Sequence, residues 1–244
     1  MKITYIHHSC FSVEHNDIVL LFDYYKGTIP KFDINKHIFV FSSHKHHDHF
    51  DLKIFDLVKE YKNITFILSS DIRMSASYME RNKIDEMIQK RIVYIGKNEK
   101  KNIPILNNNQ SFLIETLTST DQGVAFLVSL DGKVIYHAGD LNWWTWPGET
   151  DDEYNEMTHN FMKEMDKLNG KDIDLAFVPL DPRQEERFYY GFDTYMKKTN
   201  TRHVFPMHFW MDYSVIDKLK RMDEAKEYVN KIMDISYEGQ EYNL

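Results

Sequence analysis

The densest concentration of reactive side chains in this sequence is the run His44-Lys45-His46-His47-Asp48-His49. Imidazole nitrogens and a carboxylate are ligands that zinc, iron and manganese accept. Read as an extended segment, residues two apart project to one side, so His44 and His46 converge on one ion. Asp48 and His49 follow once the chain turns and reach a second position. Two ions roughly 3.5–4 Å apart form the usual dinuclear arrangement. The same alternation turns His47 away, which leaves it out of the site. A solvated polar loop is the plain alternative, and the fixed offsets of three histidines and an aspartate weigh against it.

Other segments carry single residues of the same kind. In Ile135-Tyr136-His137-Ala138-Gly139-Asp140 a strand ends on glycine beside a carboxylate. Glycine permits a close backbone approach, and Asp140 can then bridge two ions; the competing reading is a turn-capping aspartate. His137 reads as a supporting or packed histidine and is a weak candidate for the acid that protonates a leaving group. In Met207-His208-Phe209-Trp210, His208 follows a strand end; alone, it reads as a core histidine satisfied by a carbonyl. Asp181 lies past another strand end and either supports a ligand or is a turn residue before Pro182. His8 either lines the pocket or only fixes its own loop. Trp143, Trp144 and Trp146 follow Asp140 closely, and Trp210 follows His208. Together they suggest an aromatic wall, with Trp143, Trp144 and Trp210 its predicted members, suited to an apolar or ring-bearing substrate. Plain core packing is the alternative for any one of them.

These residues need a frame. Residues 1–6, 10–13, 18–22 and 37–42 read as strands, and the histidine run sits at the carboxyl end of the last. An amphipathic helix over 51–61, a strand at 64–68 and a helical stretch over 71–91 follow. A β-rich middle comprises 92–95, 111–117, 123–130 and 133–137, with Asp131-Gly132 as a two-residue hairpin turn. Residues 151–168 read as a helix, 175–178 and 203–205 as strands, 193–198 as a helix, and 216–233 as a closing helix. Strands then helix recur once in each half. Two face-to-face sheets with helices outside satisfy that order.

Composition bounds the rest. At 244 residues with 42% hydrophobic and 14% aromatic content, the chain reads as a single globular domain over 1–244. Thirty Lys and Arg against 38 Asp and Glu give a net charge of -8. That balance makes a nucleic-acid partner unfavourable, because a phosphate backbone wants a basic stripe. Small phosphorylated molecules stay open, since a metal supplies local positive charge. The one cysteine, Cys10, excludes an intramolecular disulfide and a cysteine zinc cage. No apolar run approaches the roughly 18 residues of a membrane span, and the N-terminus is too polar for a signal peptide. A cytoplasmic protein without a membrane partner is expected, with a homo-oligomer left open.

The HxHxDH run, the later Gly-Asp and the late histidine, in that order, resemble the metallo-β-lactamase superfamily. The Tyr5-Ile6-His7-His8-Ser9-Cys10-Phe11 and Leu21-Phe22-Asp23 segments are similar to its branch of ascorbate-phosphate-lactonase-like and small metal-dependent hydrolases. The resemblance spans roughly residues 3 to 210. It implies a four-layer αββα sandwich of the α/β class and a hydrolase that uses a metal-bound hydroxide. It also implies His44 and His46 as first-metal ligands, Asp48, His49 and His208 as second-metal ligands, and Asp140 as the bridge. Asp48 would orient the hydroxide and take its proton. The family's further histidine is missing, because no histidine lies between His49 and His137. Asp121 is the oxygen ligand that this region offers instead. One or two divalent ions are expected, zinc foremost; a carboxylate in place of imidazole favours iron or manganese. The implied substrate is a small-molecule ester, lactone, amide or phosphoester. A phosphodiesterase or nuclease of the same fold, and a non-catalytic metal-binding protein with a degenerate first site, are the competing readings.

Overall fold

A computed structural model of the chain describes residues 1–105 and 110–244. The strands of the described residues form two sheets. The first contains β1 (Lys2–His7), β2 (Cys10–His15), β3 (Ile18–Phe22), β4 (His37–Ser42), β5 (Ile64–Ser69) and β6 (Ile92–Ile95). The second contains β7 (Lys100–Pro104), β8 (Ser111–Thr118), β9 (Val124–Leu130), β10 (Lys133–His137), β11 (Asp172–Pro179) and β12 (Asn200–Met207). A last short strand, β13 (Glu241–Asn243), joins the first sheet beside β1, giving the orders β13-β1-β2-β3-β4-β5-β6 and β12-β11-β10-β9-β8-β7.

Strand alternation explains the layering. Leu20, Phe22, Phe39 and Phe41 point into the core between the sheets, where they meet Phe126, Val128 and Phe177. Their neighbours Val19, Leu21, Ile38 and Val40 point outward, into a second cluster with Ile54, Phe55 and Ile72. On the far side, helix Asp151–Asp166 buries Phe161 and Met165, and helix Tyr190–Lys198 buries Phe192 and Tyr195. Central strands buried on both faces read as continuous apolar runs, as HIFVFS does. Each large side chain so buried contributes roughly 1.5–3 kcal/mol. This is the αββα sandwich expected from the sequence.

Several predicted helices differ in form. The segment at 51–61 is the 3-10 helix Leu52–Lys59, opened by Asp51, whose carboxylate accepts from Lys53 N at 2.8 Å. The stretch 71–91 breaks into short helices, Ala76–Arg81 and Glu86–Gln89, because Ser75 and Asp85 each start a new one and Lys83 adopts φ 57 between them. The closing helix stops at Lys220, since Met233 N donates to Val204 O at 2.9 Å and draws the chain onto the sheet edge. Strands β7 and β13 were not predicted; both lie at sheet edges, where charged residues and a terminal Pro104 hide the alternation. Among the described residues no helix is long and apolar enough to cross a membrane.

The sheet pairings place the chemistry. β3 runs parallel to β4, β4 to β5, β10 to β11 and β11 to β12. Strands running in one direction end on one edge, so the segments after β3, β4, β10, β11 and β12 gather there. Those segments carry Asp23, the histidine run, Asp140, Asp181 and His208. Parallel sheets usually bind ligands at this carboxyl edge.

Candidate metal centre

The chain past Ser42 is a series of bends and turns, in which His49 N and Phe50 N both donate to His46 O. The convergence of His44 and His46 therefore comes from a tight turn, and the extended alternation expected from the sequence is not its cause. His44 Nε2 and His46 Nδ1 lie 3.0 Å apart. His47 is solvent-facing, with its side chain 91% exposed at the mouth of the site.

Two donor groups form along this edge, each with all its ligand atoms within 4.8 Å of one another. One comprises His44, His46, Asp121 and Asp140; the other comprises His8, Asp48, His49 and His208. Asp140 joins them: its Oδ2 lies 3.3 Å from His44 Nε2, and its Oδ1 lies 3.1 Å from His49 Nε2 and 3.5 Å from His208 Nε2. Asp121 reaches His46 Nδ1 at 3.6 Å, so the segment lacking a histidine does bring a carboxylate to the first group. His8 completes the second, with Nε2 3.6 Å from Asp48 Oδ2.

Three imidazoles are held by the nitrogen that faces away from the centre. His49 Nδ1 is 2.8 Å from Asp23 Oδ2, His208 Nδ1 is 2.9 Å from Asp181 Oδ2, and His44 Nδ1 is 3.0 Å from Ser43 Oγ. Such outer contacts fix the tautomer and leave Nε2 free to ligate. Asp23 also accepts from Ser43 N and Ser43 Oγ, both at 2.7 Å, which anchors the start of the histidine turn. Asp23, His8 and His208 sit at φ 46, 52 and 62, a region that costs a non-glycine residue on the order of 1–2 kcal/mol. Strain of this kind clusters where side chains must be aimed.

The electrostatics fit a divalent cation. Burial opposes the charge on Asp140, yet His49 and His208 hold its carboxyl well below the usual carboxylate range. Asp48 is likewise held low against burial by His8 and His49. Burial pushes His8 down to about 4, so its imidazole is neutral near neutral pH, the form that binds a metal. His8 Nε2, His49 Nε2 and Asp140 Oδ1 are buried without a hydrogen-bond partner among the described residues. Unsatisfied buried polar atoms are costly, and an ion held by His8 and His49, with Asp140 Oδ1 3.1 Å from His49 Nε2, would give them a partner.

Residues 2–145 match the family model described as beta-lactamase superfamily domain. The chain belongs to the beta-lactamase superfamily. Among solved structures it is similar to Igni18, a metallo hydrolase from the archaeon Ignicoccus hospitalis. The two are 18% identical over 100% of this chain and 98% of that one, with a TM-score of 0.60. The metallo-beta-lactamase fold protein YhfI from Bacillus subtilis matches at 15% identity, 99% of both chains and a TM-score of 0.59. No curated protein matches the sequence.

Within this beta-lactamase superfamily member, some expected roles move. His137 is fully buried, stacked on Phe22 at 4.9 Å, with Nε2 2.9 Å from Ser9 O and Nδ1 accepting from Gly139 N at 3.1 Å. Both ring nitrogens are engaged away from the cavity, so it is no leaving-group acid. Trp143 also leaves the predicted wall: its Nε1 donates to Thr158 Oγ1 at 3.0 Å, and its ring packs beside Phe161 and Tyr190. Trp146 takes that place, stacked 6.0 Å from Trp144. Trp144, Trp146 and Trp210 line one cavity of about 550 Å³ with Asp48, Asp140 and His208. Asp23 and His8 are the residues that sequence reasoning undervalued. Each stands just past a strand that ends on the site edge, and that position was the available signal.

Proposed function

We propose that the chain is a metal-dependent hydrolase of a small-molecule ester, lactone, amide or phosphoester. The observation that carries this reading is Asp140, a buried residue lining the cavity with one oxygen toward each donor group. His44, His46, Asp121 and Asp140 would hold one divalent ion; His8, Asp48, His49 and His208 the other. Such ions lower the pKa of a bound water to about 7 and polarise a carbonyl or phosphoryl oxygen. Zinc is the first candidate, and the carboxylate at Asp121 makes iron or manganese the alternative.

The chain's own residues supply position and proton transfer. Asp140 balances charge between the two groups. Asp48, ionised and lining the cavity, turns Oδ2 toward His8 and His49 while Oδ1 lies on the side of exposed His47. That oxygen is placed to take the proton of an attacking water. Trp144, Trp146 and Trp210 offer apolar faces to the substrate body and shed water from the cavity wall.

The test is a panel of 4-nitrophenyl esters, lactones, anilides and bis(4-nitrophenyl) phosphate, assayed with zinc, manganese or iron and again after chelation. Turnover above buffer that is abolished by chelator and restored by metal is expected for one of these classes. Tight metal binding without turnover of any would favour the non-catalytic reading; salt-sensitive RNA cleavage would favour the nuclease reading.

A further inference from the structure

Of the described residues lining the metal cavity, Arg183 alone carries a permanent positive charge. Its guanidinium is fixed rather than loose. Nε lies 2.9 Å from Asp181 Oδ1 and Nη2 2.5 Å from Asp181 Oδ2, a two-pronged contact with a carboxylate that is itself fully buried. The plane lies over Trp210 at 4.6 Å and near Trp146 at 6.0 Å. Stacking on indole faces and pairing with one carboxylate hold the group rigid while its side chain stays half exposed. Of the five guanidinium donors, the Asp181 contact uses the Nε edge; the Nη1 edge is left for a ligand.

Asp181 also accepts at 2.9 Å from His208 Nδ1 and lies 3.4 Å from Trp210 Nε1. One buried carboxylate therefore sets the metal-facing histidine, the arginine and the indole that flanks both. Arg183 is thereby held at a constant offset from the centre, the requirement for a residue that reads one end of a substrate while the other end reacts. The other ionisable residues lining this cavity are His46, His47 and His208 and the carboxylates Asp48, Asp121 and Asp140, and the carboxylates repel an anion wherever a metal does not offset them. A fixed arginine between two indoles is suited to a planar or tetrahedral anion attached to an apolar body.

We infer that Arg183 is the specificity-determining residue of this cavity and that it binds an anionic group, carboxylate or phosphate, carried by the substrate away from its scissile bond. The inference rests on the hydrolase reading for the word substrate, while its binding test does not need turnover. Calorimetric titration of the metal-loaded protein with phenylacetate, phenylphosphonate and neutral phenylacetamide provides that test. Wild-type protein binds at least one anion about tenfold or more tighter than the amide. Arg183→Gln cuts that ratio about tenfold, and Arg183→Lys keeps part of it, because lysine retains the charge and loses the planar fork. Thermal melts of both variants establish that they remain folded. If the anion-to-amide ratio is unchanged in folded Arg183→Gln, the anion sits on the metals and the inference is wrong. Equal binding of all three probes by wild-type protein, or binding of none at millimolar concentration, also overturns it. Hydrolysis with no preference for anionic esters would sink this inference alone; anion preference without any turnover would sink the hydrolase reading alone.

Discussion

Asp140→Ala should lower hydrolytic turnover by more than about 100-fold and leave the purified protein short of metal. Partners that only orient a ligand are worth 10–100-fold in metal affinity or activity, and Asp140 faces both donor groups directly. Its removal takes away the one carboxylate shared by His44, His49 and His208. The first group would then keep only Asp121, and the second only Asp48, to offset the charge of an ion. The sandwich itself should persist, because its core is the apolar layer between the sheets. Asp140→Asn is the sharper form of the experiment, since it keeps the volume and removes the charge. Circular dichroism, metal content and turnover of the best panel substrate, measured on one preparation, check the prediction. Near-normal turnover in a folded Asp140→Asn protein would remove the shared carboxylate from the mechanism.

Gly123→Ala should be the most destabilising single methyl added near the site. Gly123 stands at φ +67 where the turn bearing Asp121 lies against the histidine run, and a Cβ there would fall 2.0 Å from Ser43 O and 2.5 Å from His44 Cβ. The left-handed backbone costs roughly 1–2 kcal/mol for alanine. Overpacking against backbone adds about 1–3 kcal/mol. Gly132 separates these two causes: its φ is +72, yet nothing lies within 4 Å of an added Cβ. Urea denaturation should therefore show a loss of about 2–5 kcal/mol for Gly123→Ala and only the backbone part for Gly132→Ala. Equal losses would mean that the close approach to Ser43 is not required. The contact also has a functional side, since moving this turn separates Asp121 from His46.

How much of this was legible in the sequence depends on how local each signal is. The run from His44 to His49 carries its own spacing, so its metal-binding character is readable without a fold. Asp140 stood out as a Gly-Asp past a strand end, whereas His208 alone read as a core histidine and became a ligand candidate only through the family resemblance; parallel strands bring both to one edge. His8 was not, because its partners Asp48, His49 and His208 lie far away in sequence and meet it only through the order of two sheets. Asp23 looked like a strand end; the register of β3 against β4 is what sets it beside Ser43 and His49. The tryptophans show the limit most directly. Trp143 and Trp144 are adjacent and alike, but one packs under helix Asp151–Asp166 and the other sends Nε1 to Asp140 O at 2.8 Å. Nothing in the residue types distinguishes them, since the choice is made by the direction in which the chain leaves Asp140. Arg183 is invisible for a related reason, because its fixed position depends on Asp181 and two indoles.

Two donor groups sharing Asp140 should hold two divalent ions. Elemental analysis of protein purified without added metal, then reconstituted and desalted, tests it most directly. Close to two tightly held ions per chain are expected, falling to about one in His46→Ala and about one in His8→Ala, with each variant still folded. Fewer than one ion per wild-type chain, or unchanged content in both variants, would contradict it.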